Sequence, residues 1–259
     1  DALGELGFGF LEVGTVTPLA QSGNLKPRVF RNYNENSLVN RLGFNNKGVD
    51  YLVNNLKTRK YKGVLGVNIG ANKNSVGDER IKDYLICLEK VYKYANYITI
   101  NISSPNTPNL RDLQNNENLS ILINAIDKNI KELDIHIPIF LKISPDETDA
   151  TISNIISHVE NSSFSGIIAT NTTIDKSMIL NEKIKLIEGG LSGEPLMYKS
   201  THCLSYIRSK SKDMHIIGVG GVLSKEDFNN KIDAGADLVQ IYTGFIIKGP
   251  NLINEVLGN

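Results

Sequence analysis

Seven short apolar segments, rich in β-branched residues, recur along the chain and constrain its fold more than any other feature. They are FGFLEVGT (8–15), VLGVNIG (64–70), YITINIS (97–103), IPIFLKI (137–143), FSGIIATN (164–171), HIIGVGG (215–221) and LVQIYTG (238–244). Near-continuous apolar runs of this length are typical of strands that are buried on both faces. Helical patterns, such as the apolar stripe within 78–95, separate most of the runs. This alternation predicts βαβ units and a parallel sheet.

The start of the chain indicates how such a sheet is completed. The opening DALGELG resembles the end of a helix that glycine stops before the first strand. One further strand upstream would make eight, the number that closes a (β/α)8 TIM barrel. We therefore predict a single barrel domain over 1–259 whose first strand is missing from this chain. An open doubly wound sheet is the alternative, but the G-x-G-x-x-G fingerprint expected after its first strand is absent.

Two connections, 16–46 and 172–200, are too long for plain turns. In the first, RVFR and SLVN flank the turn-rich NYNEN, which predicts a small antiparallel hairpin. Long loops within a compact domain are commonly lids or binding loops.

Charge and composition favour a small-molecule partner. The 28 Lys and Arg balance the 28 Asp and Glu, so there is no broad charged surface for nucleic acid or anionic lipid. No apolar run approaches the ~20 residues that span a bilayer, and no signal peptide is visible. The two cysteines lie far apart and the four histidines lack metal-ligand spacing, so neither a disulfide nor a metal site is predicted.

Polar residues collect where the predicted strands end. These ends are GTVTP, NIGANK, NISSPNT, KISPD, ATNTT, GVGG and IYTG, whereas the opposite ends are plain. A closed barrel carries its active site at the carboxyl ends of its strands. The asymmetry therefore predicts an enzyme.

The carboxyl ends of the predicted strands fall into two chemical groups. GGLSG (189–193), GVGG (218–221) and IYTG (241–244) are glycine-rich, which lets backbone N–H groups approach an anion; ordinary tight turns are the alternative. The remaining ends carry amides that suit the edge of a heterocycle, together with Lys142, which would stabilise negative charge on a ring. No carboxylate pair or Ser-His-Asp order is present. We predict a site for a phosphorylated, redox-active ring.

Seven motifs in order resemble one family closely. NRLGFNN, NISSPNTP, KISPD, ATNTT, GGLSG, GVGG and IYTGF are similar to those of dihydroorotate dehydrogenase, in its quinone-dependent, membrane-associated class, from residue 1 to about 257. The resemblance implies a (β/α)8 barrel flavoprotein that binds FMN. It implies oxidation of (S)-dihydroorotate to orotate in UMP biosynthesis, with ubiquinone or menaquinone as the final acceptor.

The resemblance also implies the catalytic residue. Ser104 stands where the quinone class carries serine and the soluble class usually carries cysteine. It would be the base that takes the C5 proton while the C6 hydride passes to flavin N5. Serine is a poor base alone, so Thr107 and ordered water are candidate relays. Ser103 is the competitor, and it would face the other way if the strand persisted.

Further contacts follow by resemblance from the matching motifs. The implied FMN contacts around the ring and ribityl chain are Thr15, Asn68, Asn101, Lys142 and Thr170, with Lys142 near the flavin N1–O2 edge. Those at the phosphate are Gly193, Gly221, Tyr242 and Thr243. The implied substrate contacts are Asn40, Arg41, Leu42, Gly43, Phe44, Asn101, Asn106, Asn171 and Thr172.

The chain departs from the family pattern in three respects. The family's first strand, with its lysine, and the N-terminal helices that form the quinone tunnel would lie upstream of Asp1. We therefore expect peripheral contact with the cytoplasmic face of a bacterial inner membrane through that extension, and a soluble fragment without it. Asn109 replaces a usual glycine and Thr243 a common serine, both mild changes.

Four other functions stay open. They are a soluble dihydroorotate dehydrogenase that uses fumarate or NAD, the related domain of dihydropyrimidine dehydrogenase, a phosphate-binding isomerase or aldolase, and an inactive truncated barrel fragment. Ser104 argues against the first two.

Overall fold

The computed structural model of the chain describes residues 1–258, in which strands and helices alternate. In chain order they are β1 (Phe10–Val16), β2 (Val29–Asn32), β3 (Ser37–Asn40), α1 (Val49–Lys57), β4 (Val64–Ile69), α2 (Gly77–Val91), β5 (Tyr97–Asn101), α3 (Asn116–Glu132), β6 (Ile139–Ile143), α4 (Asp149–Glu160), β7 (Gly166–Ala169), α5 (Glu182–Lys185), β8 (Gly190–Gly193), α6 (Met197–Lys210), β9 (His215–Val219), α7 (Lys225–Asp233), β10 (Leu238–Gln240), α8 (Thr243–Lys248) and α9 (Asn251–Leu257). None of the helices described in 1–258 is long and apolar enough to cross a membrane.

Seven strands form one curled sheet with helices around it. Its order is β1-β4-β5-β6-β7-β9-β10, and every neighbouring pair is parallel. These are the seven apolar runs of the sequence, so the predicted parallel sheet is confirmed. β1 and β10 are the edge strands, and Gln240 Nε2 on β10 donates to Glu12 Oε2 on β1 at 3.0 Å. The two edges therefore lie within side-chain reach, as in a barrel that lacks one strand.

Alternate residues of each strand face two separate apolar layers. Ile98 and Leu141 belong to the large outer core between the sheet and the helices. Tyr97, Phe140 and Ile168 form a smaller cluster inside the curled sheet. Because successive strand side chains point to opposite faces, polar residues at every second position also enter the interior.

A second, antiparallel sheet covers one end of the first. The predicted hairpin is confirmed as β2 and β3, and β8 pairs with β3 as an unpredicted third strand. The GGLSG segment is therefore largely a strand rather than a free loop. Leu191 packs with Val39 and two buried isoleucines beneath this sheet, which explains why a glycine-rich segment pairs so regularly.

Local end signals in the sequence agree with the observed helix ends. Ala2–Leu6 is a short 3-10 helix that stops at Gly7, whose φ is 89°. Ser224 Oγ caps α7 by accepting from the Asp227 amide at 3.1 Å. Gly235 follows the same helix with a φ of 107°, a conformation that only glycine adopts readily.

Candidate active site

A network of amides and hydroxyls occupies the carboxyl ends of β1, β4 and β5. Asn101 Nδ2 donates to Thr15 Oγ1 at 3.1 Å and to Asn68 Oδ1 at 3.2 Å. Thr15 Oγ1 itself donates to Asn68 Oδ1 at 2.7 Å. The fold thus brings together three of the residues that the resemblance assigned to the flavin.

The other end of the Asn101 amide joins the predicted substrate residues. Asn101 Oδ1 accepts from Asn171 Nδ2 at 3.3 Å and from Ser103 Oγ at 3.2 Å. Asn171 Nδ2 also donates to Ser103 Oγ at 3.1 Å, and Asn171 Oδ1 accepts from the Thr172 amide at 2.8 Å. Asn101 therefore links the two predicted sets of contacts.

Glu12 lies below this network and was missed by the sequence analysis. Its carboxylate accepts from four interior side chains, Asn68, Tyr97, Thr99 and Gln240, at 2.7–3.1 Å. Burial and the neighbouring Glu12 carboxylate both raise the pKa of Tyr97, which stays a neutral donor. Because Asn68 Nδ2 is bonded to Glu12, its Oδ1 must face Thr15 and Asn101. A glutamate at an inward position of FLEVG was the available signal.

The two serines after β5 differ in their hydrogen bonds. β5 ends at Asn101, so strand alternation no longer separates Ser103 from Ser104, and both are buried, at 0% and 6% exposure. The Ser103 hydroxyl is bonded to Asn101 and Asn171. The Ser104 hydroxyl only accepts, from the Asn106 amide at 3.3 Å, and no acceptor for its proton lies within 1–258. Ser104 is therefore the serine with a free O–H.

A second group of amides gathers around Asn106. Its Nδ2 donates to Asn40 Oδ1 at 3.2 Å, which joins the loop after β5 to the end of β3. Asn24, which the sequence analysis missed, donates to the Asn106 carbonyl at 3.2 Å. Asn24 lies in an aperiodic segment, so no local pattern distinguishes it.

The remaining residues of the segment 40–44 are held by their neighbours. The Arg41 guanidinium donates to the Pro27 carbonyl at 3.1 and 3.3 Å, so this side chain is directed toward the second sheet. The Leu42, Gly43 and Phe44 carbonyls accept from the segment 21–46. The backbone carbonyls of 42–44 are therefore held by the Gln21 and Asn46 side chains and by the Asn24 backbone amide.

Lys142 lies on the inward face of β6, in register with Asn101 on β5. Its side chain is half-buried, and no residue within 1–258 accepts a hydrogen bond from it. Thr170, at the end of β7, donates to the Asn171 carbonyl at 3.0 Å. Among the described residues 1–258, Lys142 thus forms no ion pair with a carboxylate at the barrel mouth.

The three glycine-rich segments meet beside this mouth. Thr243 Oγ1 donates to Ser192 Oγ at 2.8 Å, which ties the start of α8 to β8 next to Gly193. A Cβ at Gly221 would overlap the backbone at Met197, and one at Gly244 would overlap the Val222 carbonyl. Tyr242, at the start of α8, is largely exposed. Because glycine has no Cβ, these three segments can approach one another closely.

Asp146, another residue that the sequence analysis did not single out, ties the surrounding loops together. It accepts from Arg111 at 2.8 Å, from Lys199 at 2.7 Å, from the Thr173 hydroxyl and from the Ile174 amide. Burial alone would raise the pKa of Asp146, but hydrogen bonds from Lys199, Thr173 and two further donors hold it below its usual value. Arg111 also donates to the Ser103 carbonyl at 3.0 Å, so this cluster braces the serine loop.

Two buried hydroxyls beside the amide network have no partner within 1–258. They are Thr107 Oγ1, three residues after Ser104, and Thr172 Oγ1, next to Asn171. Buried polar groups are normally satisfied, so unpaired hydroxyls here fit a site that completes its hydrogen bonds with a polar ligand. These two hydroxyls, Lys142 and the three glycine-rich segments (189–193, 218–221 and 241–244) together fit a phosphorylated heterocycle.

Comparison with known proteins identifies relatives over the whole chain. The family model described as dihydroorotate dehydrogenase matches residues 1–259. The dihydroorotate dehydrogenase (quinone) of Aliivibrio salmonicida is 50% identical over all of this chain and 79% of its own length. That of Legionella pneumophila (strain Corby) is 48% identical over 99% of this chain and 79% of its own length.

Solved structures agree with the fold. A crystal structure of DHODH from Eimeria tenella in complex with ferulenol is 36% identical, with a TM-score of 0.91 over 97% of this chain and 73% of that one. The TIM-barrel architecture predicted from the seven strand runs is thereby confirmed, as is the predicted family. The chain belongs to the dihydroorotate dehydrogenase family, and its relatives at 48–50% identity carry the quinone-dependent name.

Proposed function

We propose that this chain oxidises (S)-dihydroorotate to orotate in pyrimidine biosynthesis, with FMN as its flavin and a quinone as the final electron acceptor. Enzymes of this family are flavin-dependent, and the relatives at 48–50% identity carry the quinone-dependent name. The observation that carries the proposal is the position of Asn101. Its amide joins Thr15 and Asn68 on one side to Asn171 and Ser103 on the other. One residue can thus align a flavin with a pyrimidine.

Ser104 is the base for the C5 proton in this proposal. Its hydroxyl accepts only from the Asn106 amide, so a lone pair and the O–H are both available. A serine that takes a proton must pass its own onward. Thr107, whose buried hydroxyl has no partner within 1–258, lies on the same loop and serves as the next acceptor.

Amide side chains hold the substrate. Asn40, Asn106 and Asn171 offer both donors and acceptors, which match the imide and carboxylate groups of the pyrimidine. Asn40 and Asn106 are bonded to one another at 3.2 Å, and Asn171 is fixed by Asn101. The segment 41–44 and Thr172 complete this side. Because these amide side chains are already fixed, they lose little conformational entropy when the substrate binds.

The cofactor side depends on Lys142 and the glycine loops. When bound, the flavin supplies the acceptor for the C6 hydride at N5. Lys142, half-buried and without a carboxylate partner within 1–258, would stabilise negative charge on the flavin at its N1–O2 edge. Thr15, Asn68, Asn101 and Thr170 flank the ring. Gly193, Gly221, Tyr242 and Thr243 would hold the phosphate, at the place where the glycine-rich segments pack closely together.

Quinone reduction implies a membrane location. Ubiquinone and menaquinone are confined to the bilayer, so the enzyme works as a peripheral protein at the cytoplasmic face of the bacterial inner membrane.

Flavin spectroscopy tests the proposal directly. Purified full-length protein should show the flavin absorption bands, dihydroorotate should bleach them anaerobically, and a soluble quinone should restore them. FMN should be the flavin released on denaturation. Fumarate or NAD restoring the bands as fast as quinone would place the enzyme in the soluble class instead. If the protein binds flavin but dihydroorotate does not bleach it, the assignment of dihydroorotate as the substrate is wrong.

A further inference from the structure

Lys231, on α7, is a fully buried lysine with no carboxylate partner within 1–258. It is 0% exposed, and its ammonium donates to Ser200 Oγ at 2.6 Å and to Thr201 Oγ1 at 2.8 Å on α6. Burying a lysine against two neutral hydroxyls costs far more than burying an apolar side chain of similar length. Packing alone therefore does not explain a lysine at this position.

Ser200 connects Lys231 to the glycine loop after β9. Ser200 Oγ, also fully buried, lies 3.1 Å from the Gly220 carbonyl oxygen and 3.1 Å from the Met197 carbonyl oxygen within its own helix. Since Lys231 donates to this oxygen, the single hydroxyl proton of Ser200 is directed toward those carbonyls. A chain of hydrogen bonds thus runs from α7 through α6 to the loop 218–221.

The end of this chain controls one backbone N–H. The Gly220 carbonyl and the Gly221 N–H belong to the same planar trans peptide group, so they point in opposite directions. Holding the Gly220 carbonyl toward Ser200 therefore directs the Gly221 N–H away from Ser200. Both glycines have positive φ, 117° and 83°, a conformation that other residues rarely adopt, so the orientation of this peptide group depends on glycine at both positions. Donation to the carbonyl also polarises the group and strengthens the N–H as a donor.

The charge state of Lys231 is compatible with this role. Burial lowers the pKa of Lys231 to about 7, while Cys203 on α6 and Asp227 on α7 oppose the shift. The ammonium and the neutral amine both carry N–H donors, so the contact with Ser200 persists in either form.

We propose that Lys231 is a positioning residue for the cofactor phosphate, acting through Ser200 and the Gly220 carbonyl to aim the Gly221 N–H at the anion. The inference rests on the proposed function, which assigns Gly221 to the phosphate. Lys231 itself does not touch the cofactor.

Comparison of FMN with riboflavin tests this role, because the two differ only in the phosphate. The dissociation constants of both are measured by flavin fluorescence for the full chain and for Lys231→Met, Ser200→Ala and Thr201→Val. Loss of one hydrogen bond to the anion should weaken FMN by about tenfold in Ser200→Ala and Lys231→Met and leave riboflavin unchanged. Thr201→Val, the matched control, removes the other acceptor of Lys231 and should preserve the FMN preference.

Each outcome has one interpretation. Equal weakening of FMN and riboflavin, or no weakening of FMN in Ser200→Ala, would overturn the inference. If the preference for FMN is lost in Ser200→Ala but kept in Lys231→Met, Lys231 does not position the phosphate site. If Lys231→Met does not fold, Ser200→Ala decides, because alanine is the best helix former and the change removes one oxygen. Wild-type protein that binds neither flavin would reject the proposed function itself; wild-type protein without a preference for FMN would reject only the phosphate site.

Discussion

Single residues carry the chemistry here, and their identification from sequence depends on whether their partners are local. Lys142 and Asn101 fall on inward positions of their strands by simple alternation, and the structure has them in register. Glu12 is different, because its partner Gln240 is 228 residues away. No periodic signal reports a contact of that separation. The inward position of Glu12 can be read from its strand, but the partners of Glu12 and Asp146 are visible only in the fold.

Ser104 provides the sharpest test at this scale. Ser104→Ala should leave flavin binding intact and slow flavin reduction by dihydroorotate by about 10²-fold or more, since general base catalysis contributes that much. Anaerobic stopped-flow absorbance measures the reduction. Ser104→Cys should keep activity with an altered pH profile.

Ser103→Ala is the matched control for this experiment. Its hydroxyl holds Asn101 and Asn171, so the change should weaken substrate binding more than the rate of reduction. If Ser103→Ala slowed reduction more than Ser104→Ala, the two roles would be reversed.

At the scale of elements, the strands were predictable and the second sheet only in part. The apolar runs and the hairpin turn residues are local signals, and both predicted elements form. β8 lacks such a signal because two of its four residues are glycine, and it becomes a strand by pairing with β3. Tertiary pairing here overrides local propensity.

Gly190 tests why β8 contains glycine. A Cβ at this position would overlap the hydroxyl of Thr172, a predicted substrate contact, and would crowd Pro105, the residue after Ser104. Gly190→Ala should therefore raise the KM for dihydroorotate and lower the free energy of unfolding by about 1–3 kcal/mol, the usual cost of overpacking. Steady-state kinetics and urea denaturation measure the two effects. Gly9→Ala is the surface control, since nothing lies within 4 Å of a Cβ there and its φ is not positive; an equal KM rise in both variants would contradict the steric explanation.

Asp146 tests how β6, β7 and α6 are held together. Its folded-state pKa lies below the ordinary 3.8, so its contribution to stability is present above that pH and is lost as pH falls through the lowered value. Asp146→Asn should cost about 1–3 kcal/mol at pH 7 by weakening charged hydrogen bonds. It should also reduce the loss of stability below about pH 4.

Denaturant unfolding between pH 3 and 7 measures both parts of that prediction. Asp134→Asn, in which an exposed carboxylate is replaced, serves as the control. Parallel pH curves for Asp146→Asn and the wild type would show that the folded-state pKa of Asp146 is not lowered.

At the scale of the whole molecule, the curled sheet is joined at its open side by side chains alone. Gln240 on β10 reaches Glu12 and Tyr97, and no backbone ladder joins β10 to β1 within 1–258. The proposed flavin contacts extend from Thr15 on β1 around to Thr243 after β10. A ligand that touches both ends of the sheet should hold the barrel together.

FMN should therefore stabilise the whole fold and not only its site. At a free concentration 100 times the dissociation constant, FMN adds about 2.7 kcal/mol to the free energy of unfolding, which for a chain of this size raises the Tm by about 5–10 °C. Differential scanning calorimetry across an FMN titration measures the shift. Riboflavin at the same concentration should raise the Tm less, because it cannot engage Gly221 and Thr243. A Tm that does not depend on FMN concentration would mean that the flavin does not bind the folded chain, and equal shifts for the two ligands would mean that the glycine loops do not hold the phosphate.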